Sequence, residues 1–333
     1  MKLRYSNTFI QCSYLYNKRK FSTVSNEQIR RMKNELFDKE KLRQQSLITR
    51  IQKIEVKYIG VPTDCVLMMN RNISTPYNCA MHMHEFLCQR SVVAEVNGKL
   101  WDMHRPLDED CELRLLNFQT SPKELNKIFW RSCSFLLGMI IEKAFKDDYF
   151  VDLHSWPKPC VESGSYVYDA EVGIPNWKPT PEELKTFTTM IWKLGAEDNI
   201  FERLSVPESL ALEMFQHNKF KRHQVPDIST DGSVTLYRVK DHIDISCGPM
   251  IANTKMVGTS QFTAVHQLDQ DCGYRFQALS IPKQLTLNSF AFSVLAERAK
   301  KLNTSGLKSH VSKTEKTDDF EANPEIENVS AKQ

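Results

Sequence analysis

The chain has 333 residues, 41% of them hydrophobic and 26% charged, which is enough apolar material for two compact domains and too much for a disordered chain. Its longest uninterrupted apolar run, Phe135 to Ile141, stops at Glu142, so no membrane span is expected. The nine cysteines are odd in number and form no C-x-x-C pair, which argues against a disulfide framework and paired-thiolate zinc sites and for a reducing compartment. The formal net charge of +3 is unevenly divided: residues 1–50 carry 12 Lys and Arg against 4 acids, and the remainder is net acidic.

Residues 1–24 contain Lys2, Arg4, Lys18, Arg19 and Lys20, and no acid precedes Glu27. That composition resembles a mitochondrial transit peptide, and Arg19 to Ser22 resembles an arginine-based processing site, so the mature protein is expected to begin between Ser22 and Asn26. The plainer alternative is a flexible basic terminus of a cytosolic protein.

Residues 25–52 are expected to form a basic helical extension. Ile29, Met32, Leu36 and Phe37 fall on one helix face, and Arg30, Arg31, Lys33, Lys39, Lys41 and Arg43 occupy the others, with Lys53 and Lys57 extending the charge. So narrow an apolar stripe buries poorly by itself. The helix is expected to dock on a partner or lie along RNA phosphates, those eight cations being the contact candidates, against the plainer reading of a solvated helix. On this view, neutralising Arg30, Arg31 and Lys33 together weakens RNA contact and leaves folding nearly unchanged.

Residues 53–119 read as a β-grasp. Ile54, Val56 and Tyr58 alternate, Val66 to Met69 follows a turn at Pro62, and Ser74-Thr75-Pro76 opens a short helix ending near Arg90. Strands then flank Asn97-Gly98, a strong two-residue hairpin signal, and Glu112 to Leu116 is the last strand. The segments Ser74 to Tyr77, Ala94 to Asp102 and Pro106 to Leu113 resemble the N-terminal TGS module of threonyl-tRNA synthetases.

Residues 120–302 open with a capping box at Ser121-Pro122-Lys123-Glu124, Pro taking the first helical position, and a long helix to about Lys146. Trp130 to Gly138 resembles the first helix of the threonyl- and alanyl-tRNA synthetase editing domain. That family sets two histidines four apart on one helix face to hold zinc, with a cysteine and a histidine four apart completing the set. Here the four positions read Arg131, Phe135, Ser246 and Met250, none of them a good zinc ligand. Further elements are expected at Glu162 to Asp169 (strand), Thr180 onward (capped helix), Ser205 to His217 (helix), 234–238 and 243–245 (strands), then Phe262 to Leu268 and Arg275 to Ile281 completing one mixed sheet. Leu287 to Leu302 is read as a final helix, and residues 303–333 as a disordered polar tail. The overall class is α+β.

Other signals are weak. His82 and His84 are two apart and point away from each other in a helix. His217 and His223 flank a basic stretch, Asn218 to Arg222, that fits a solvated helix end or a second RNA contact. Cys133 and Cys247 have no oriented base nearby in sequence, and the Gly306 to Ser309 stretch lacks the rest of a phosphate loop.

The segments Glu35 to Lys41, Ile73 to Tyr77, Glu142 to Tyr149 and Phe276 to Pro282 resemble a family of mitochondrial ribosomal proteins of the large subunit, the one numbered thirty-nine. The resemblance implies a catalytically degenerate, structural subunit in the mitochondrial matrix, held by large-subunit rRNA and neighbouring ribosomal proteins, with no cofactor and no small-molecule substrate. Two other classes stand beside it: a metal-free deacylase or tRNA-binding factor, and a β-grasp module recruiting a protein away from RNA.

Overall fold

The computed structural model describes residues 25–147, 149–174, 177–268 and 273–307. The leader assigned to residues 1–24 and the tail beyond residue 307 lie outside them. The fold is α+β.

Helix α1 (Asn26–Ser46) starts at Ser25, whose side chain accepts from the Gln28 backbone N–H while Gln28 accepts from that of Ser25. The β-grasp follows as β1 (Lys53–Tyr58), β2 (Cys65–Asn70), α2 (Pro76–Met83), α3 (Glu85–Arg90), β3 (Val93–Val96), β4 (Lys99–Trp101) and β5 (Cys111–Leu116). Its sheet has the order β2-β1-β5-β3-β4, with β1 parallel to β5 and the other pairs antiparallel. Asn97 and Gly98 both take positive φ, 49° and 75°, as the tight turn between β3 and β4 requires. The single helix expected to end near Arg90 is two. His84 is extended at φ −165°, and its Nδ1 accepts the Phe86 N–H, ending α2 and capping α3.

Helix α4 (Pro122–Ala144) is apolar around most of its circumference and is accordingly buried on nearly all sides from Leu125 to Ile141. Gly138 is required there, since a Cβ would sit 2.5 Å from the Tyr168 ring. The capping box expected at Ser121 is absent. Its backbone, at φ −142° and ψ 62°, leaves the hydroxyl without a cap bond, and Pro122 alone shapes the start.

The rest of the chain is β6 (Val151–Ser155), β7 (Tyr166–Val172), α5 (Pro181–Ala196), β8 (Glu202–Pro207), α6 (Glu208–Met214), α7 (Lys219–Ile228), β9 (Ser233–Val239), β10 (His242–Ile245), β11 (Val257–Gln267), β12 (Tyr274–Pro282) and α8 (Ser289–Arg298). The Thr180 capping box forms with Glu183. The expected single mixed sheet is two antiparallel sheets, β11-β12-β7-β6 and β10-β9-β8. The helix expected from Ser205 begins only at Glu208, because Ser205 to Pro207 finish β8 against β9.

One continuous core joins the β-grasp, α4 and the four-stranded sheet. A second core lies under the three-stranded sheet, where Leu204, Val206, Met214, Phe215, Leu236 and Ile243 receive Phe37 from α1. The N-terminal helix is therefore a layer of the body. The first residues of the expected tail are also held: Asn303 is buried, its amide donates to the Ser165 carbonyl, and Arg275 reaches the Asn303 and Ser305 carbonyls while pairing with Asp169.

Candidate functional site

Arg131 and Phe135 on helix α4, and Ser246 and Met250 in the loop after β10, the positions that the editing-domain resemblance matches to zinc ligands, each have another use in this fold. The Arg131 Nη1 donates to the Gly248 carbonyl at 2.5 Å and to that of Pro249 at 3.1 Å, so the cation pins the loop. Phe135 is fully buried and meets His242, Phe201 and Trp156 edge to face. The Ser246 hydroxyl accepts the Gly248 N–H. Met250 is buried with its sulfur 3.5 Å from the Ser132 hydroxyl, which also accepts the Ile251 N–H. A fixed guanidinium, a phenyl ring and a packed thioether do not fit zinc. Among the described residues no group of three or more His, Cys, Asp or Glu side chains is placed to hold a metal. Cys133 is buried with its thiol pushed up, mainly by desolvation, and Cys247 is exposed.

The loop is also tied to the β-grasp. Asp102 is 6% exposed and accepts from the Tyr237 hydroxyl at 2.9 Å and the Met250 N–H at 2.8 Å. Burial raises its pKa despite those bonds. Gly248 takes φ +62°, and a Cβ there would lie 1.9 Å from the Tyr237 hydroxyl. Sequence reading missed this network, since residue 102 is far in the chain from residues 237 and 250.

Beneath α1 lies a buried charge cluster. Lys33 Nζ sits 2.9 Å from Glu142 Oε1, and His242 Nδ1 sits 2.6 Å from Glu142 Oε2. Lys221 Nζ sits 2.5 Å from Asp244 Oδ1, whose partner oxygen accepts the Tyr168 hydroxyl. Burial alone would raise the Glu142 carboxyl, but Lys33 and His242 together outweigh it and hold it well below the usual range. Burial lowers Lys221, with Asp244 opposing the shift. A cavity of about 40 Å³ remains between Asn26, Lys33, Glu142, Asn218, Lys221 and Asp244.

This arrangement corrects the expected basic face of α1. Lys33 is only 5% exposed and points inward, because its charge answers Glu142. Arg30 turns to Asp241 at 3.4 Å, and Lys41 reaches Glu202 at 2.7 Å. Arg43 pairs with Glu40, and Lys57 lies 3.6 Å from Glu55. Lys53 bonds the Asn70 side-chain oxygen. Arg31 and Lys39 stay exposed, Arg31 alongside Glu35. The fallback contact at 219–222 is likewise altered, because this stretch forms α7, capped by Asn218, with Lys221 1% exposed. Sequence reasoning read Lys33 and Lys221 as surface cations, since a run of charges carries no mark of depth.

Residues 63–117 match the TGS domain family. The chain is 32% identical over 200 residues to probable threonine--tRNA ligase 1, cytoplasmic, of Dictyostelium discoideum, covering 60% of this chain and 27% of that enzyme. It is 30% identical over 183 residues to threonine--tRNA ligase 1, cytoplasmic, of Homo sapiens, covering 54% of this chain and 24% of that enzyme. To the large ribosomal subunit protein mL39 of Drosophila melanogaster it is 48% identical over 277 residues, covering 81% of this chain and 83% of the relative. With that identity carried over most of both chains, this protein belongs to the mL39 family of large ribosomal subunit proteins.

Proposed function

We propose that this protein is a structural, non-catalytic component of the large subunit of the mitochondrial ribosome, binding rRNA and neighbouring ribosomal proteins in the matrix and supporting mitochondrial translation. The observation that carries the reading is the 48% identity to mL39 through 83% of its length. The side chains at the four positions support it, because Arg131, Phe135, Ser246 and Met250 are engaged in packing and loop anchoring and are poor ligands for a metal that would activate water. Cations remaining open at the N-terminal end, Arg31, Lys39, Lys53 and Lys57, are candidates for contact with RNA phosphates.

Sedimentation tests the proposal. The tagged full chain expressed in cells should enter mitochondria, start between Ser22 and Asn26 after processing, and travel with large subunits through a high-salt gradient. Recovery at the top of the gradient, with intact subunits below, would overturn it.

A further inference from the structure

The junction between the β-grasp and α4 gathers several cations around one buried carboxylate, Asp102, and along the start of α4. Arg105 lies flat over the Trp101 ring, its guanidinium carbon 3.4 Å from the centroid, while the Trp101 indole donates to the Arg105 carbonyl. Arg203 on β8 keeps a partly exposed side chain 3.9 Å from Asp102 and donates to the Thr235 hydroxyl. Arg131 is bound to two carbonyls and to no carboxylate among the described residues. Burial and the neighbouring Arg203 both lower the Arg105 pKa, which marks two like charges held close together. One and two turns ahead of Arg131 on α4 stand Lys127 and Lys123, both exposed and without an ion pair among the described residues.

Opposing these five cations in the same stretch are the buried Asp102 and the exposed Asp108, Glu109, Asp110, Glu112 and Glu124, of which only Glu124 stands on α4 beside the lysines. Asp102 is buried and already accepts from Tyr237 and Met250. The region also lacks the apolar anchor that a protein partner would use: no large exposed hydrophobic side chain occurs within 99–131, 203–207 or 246–250. The cation excess is on the first turns of α4, where Lys123, Lys127 and Arg131 face only Glu124, and a polyanion fits that face.

We propose that Lys123, Lys127 and Arg131, with Arg105 and Arg203 at the end of the row, form a docking track for the phosphates of an RNA strand. The inference rests on the ribosomal reading for the source of the RNA. Spacing of one helical turn between the α4 cations lets them reach phosphates along one strand, and the planar, stacked Arg105 is preorganised for a bidentate phosphate contact.

The test is anisotropy of a short fluorescent oligouridylate titrated with the full chain over a salt series. The double substitution Lys123→Gln with Lys127→Gln should weaken binding and flatten the slope of log K against log salt by about 0.7 for each phosphate contact removed. Arg105→Lys should weaken binding with the slope retained, since the charge stays and the planar fork is lost. Lys185→Gln with Lys193→Gln, two exposed lysines of α5 assigned to no RNA contact, is the control for a general loss of positive charge, and its slope change should be smaller. Absence of binding by the unsubstituted chain, an unchanged slope in the double lysine variant, or polyglutamate competing as well as RNA would each overturn the track. Sedimentation judges the ribosomal reading separately. A chain found in large subunits with no effect of Lys123 and Lys127 on RNA binding would overturn the track alone, whereas track-dependent RNA binding by a chain absent from subunits would overturn the ribosomal reading alone.

Discussion

Beneath α1 and at the β-grasp junction the chain gathers the same kinds of side chain, yet balances them differently. Under α1, Lys33 and Lys221 each meet a carboxylate, Glu142 and Asp244, and all four side chains are at most one-tenth exposed. At the junction, Arg105 and Arg203 share the buried carboxylate of Asp102, and Arg131 binds two loop carbonyls in place of a carboxylate. The difference follows from solvent. A charge removed from water must be matched by a partner and by hydrogen bonds, whereas a cation that keeps an edge in water can stay in excess and remain available to a ligand.

The largest effect should come from removing one member of the buried set. Lys33→Met leaves Glu142 buried beside His242 without its lysine, and the cost should be about 3–5 kcal/mol in urea unfolding. Adding Glu142→Leu to that variant should recover much of the loss, because no uncompensated charge is then left inside. A single-variant loss below about 1 kcal/mol, the range of exposed pairs, would mean that the pair is solvated and the contrast between the clusters is wrong.

Next in size is Gly248→Ala. The added Cβ meets the Tyr237 hydroxyl and the residue is held at φ +62°, a conformation costing about 1–3 kcal/mol for a side-chain-bearing residue. The loop whose carbonyls hold Arg131 must then shift. Thermal unfolding indistinguishable from the parent protein would show that the loop anchors neither Arg131 nor Asp102.

Acid probes the region beneath α1 by a different route, through Glu142 and through His154 on β6. The His154 pKa is lowered from 6.5 to about 4, chiefly by burial and further by Lys219 and Lys221, so the ring is neutral in the folded state at neutral pH. Its contribution is present above 6.5 and lost as pH falls from there to about 4, because the unfolded chain takes up the proton first. The lowered Glu142 adds to stability above its ordinary value of 4.5 and loses it as pH falls below that. Denaturant midpoints measured stepwise on acidification should drop in both windows, and His154→Gln should flatten the first. A parent midpoint constant from 6.5 to 4 would refute the assignment for His154.

What could be read in the sequence follows the range of each signal. The alternation of Ile54, Val56 and Tyr58, the Asn97-Gly98 turn and the apolar run of α4 are local patterns, and each produced the element it suggested. The pairing of β7 with β12 and the separate β8-β9-β10 meander join strands by contacts that periodicity does not encode. Strand β6 is short and lacks alternation, with Val151, Asp152 and Leu153 buried in succession, and it gave no signal. Depth was the main loss. Lys33 and Lys221 read as solvated because the carboxylates that draw them inward lie 109 and 23 residues away.

The smallest effect tests the comparison within one helix. Arg31 and Lys33 are two residues apart on α1 and so face different directions, with the Arg31 side chain 82% exposed and that of Lys33 6% exposed. The Arg31 contact with Glu35 is an exposed pair one helical turn apart, of the kind that contributes about 0.3–0.5 kcal/mol. Arg31→Gln, alone or with the exposed Lys39→Gln, should therefore move the urea midpoint by an amount equivalent to less than about 1 kcal/mol. This replaces the expectation that Arg30, Arg31 and Lys33 can be neutralised together without cost, because that triple change includes the buried member and should be as damaging as Lys33→Met. If Arg31→Gln were as destabilising as Lys33→Met, the outer face of α1 would also have to be packed in the folded chain. Depth would then not be what separates the two cations, and their different roles would need another cause.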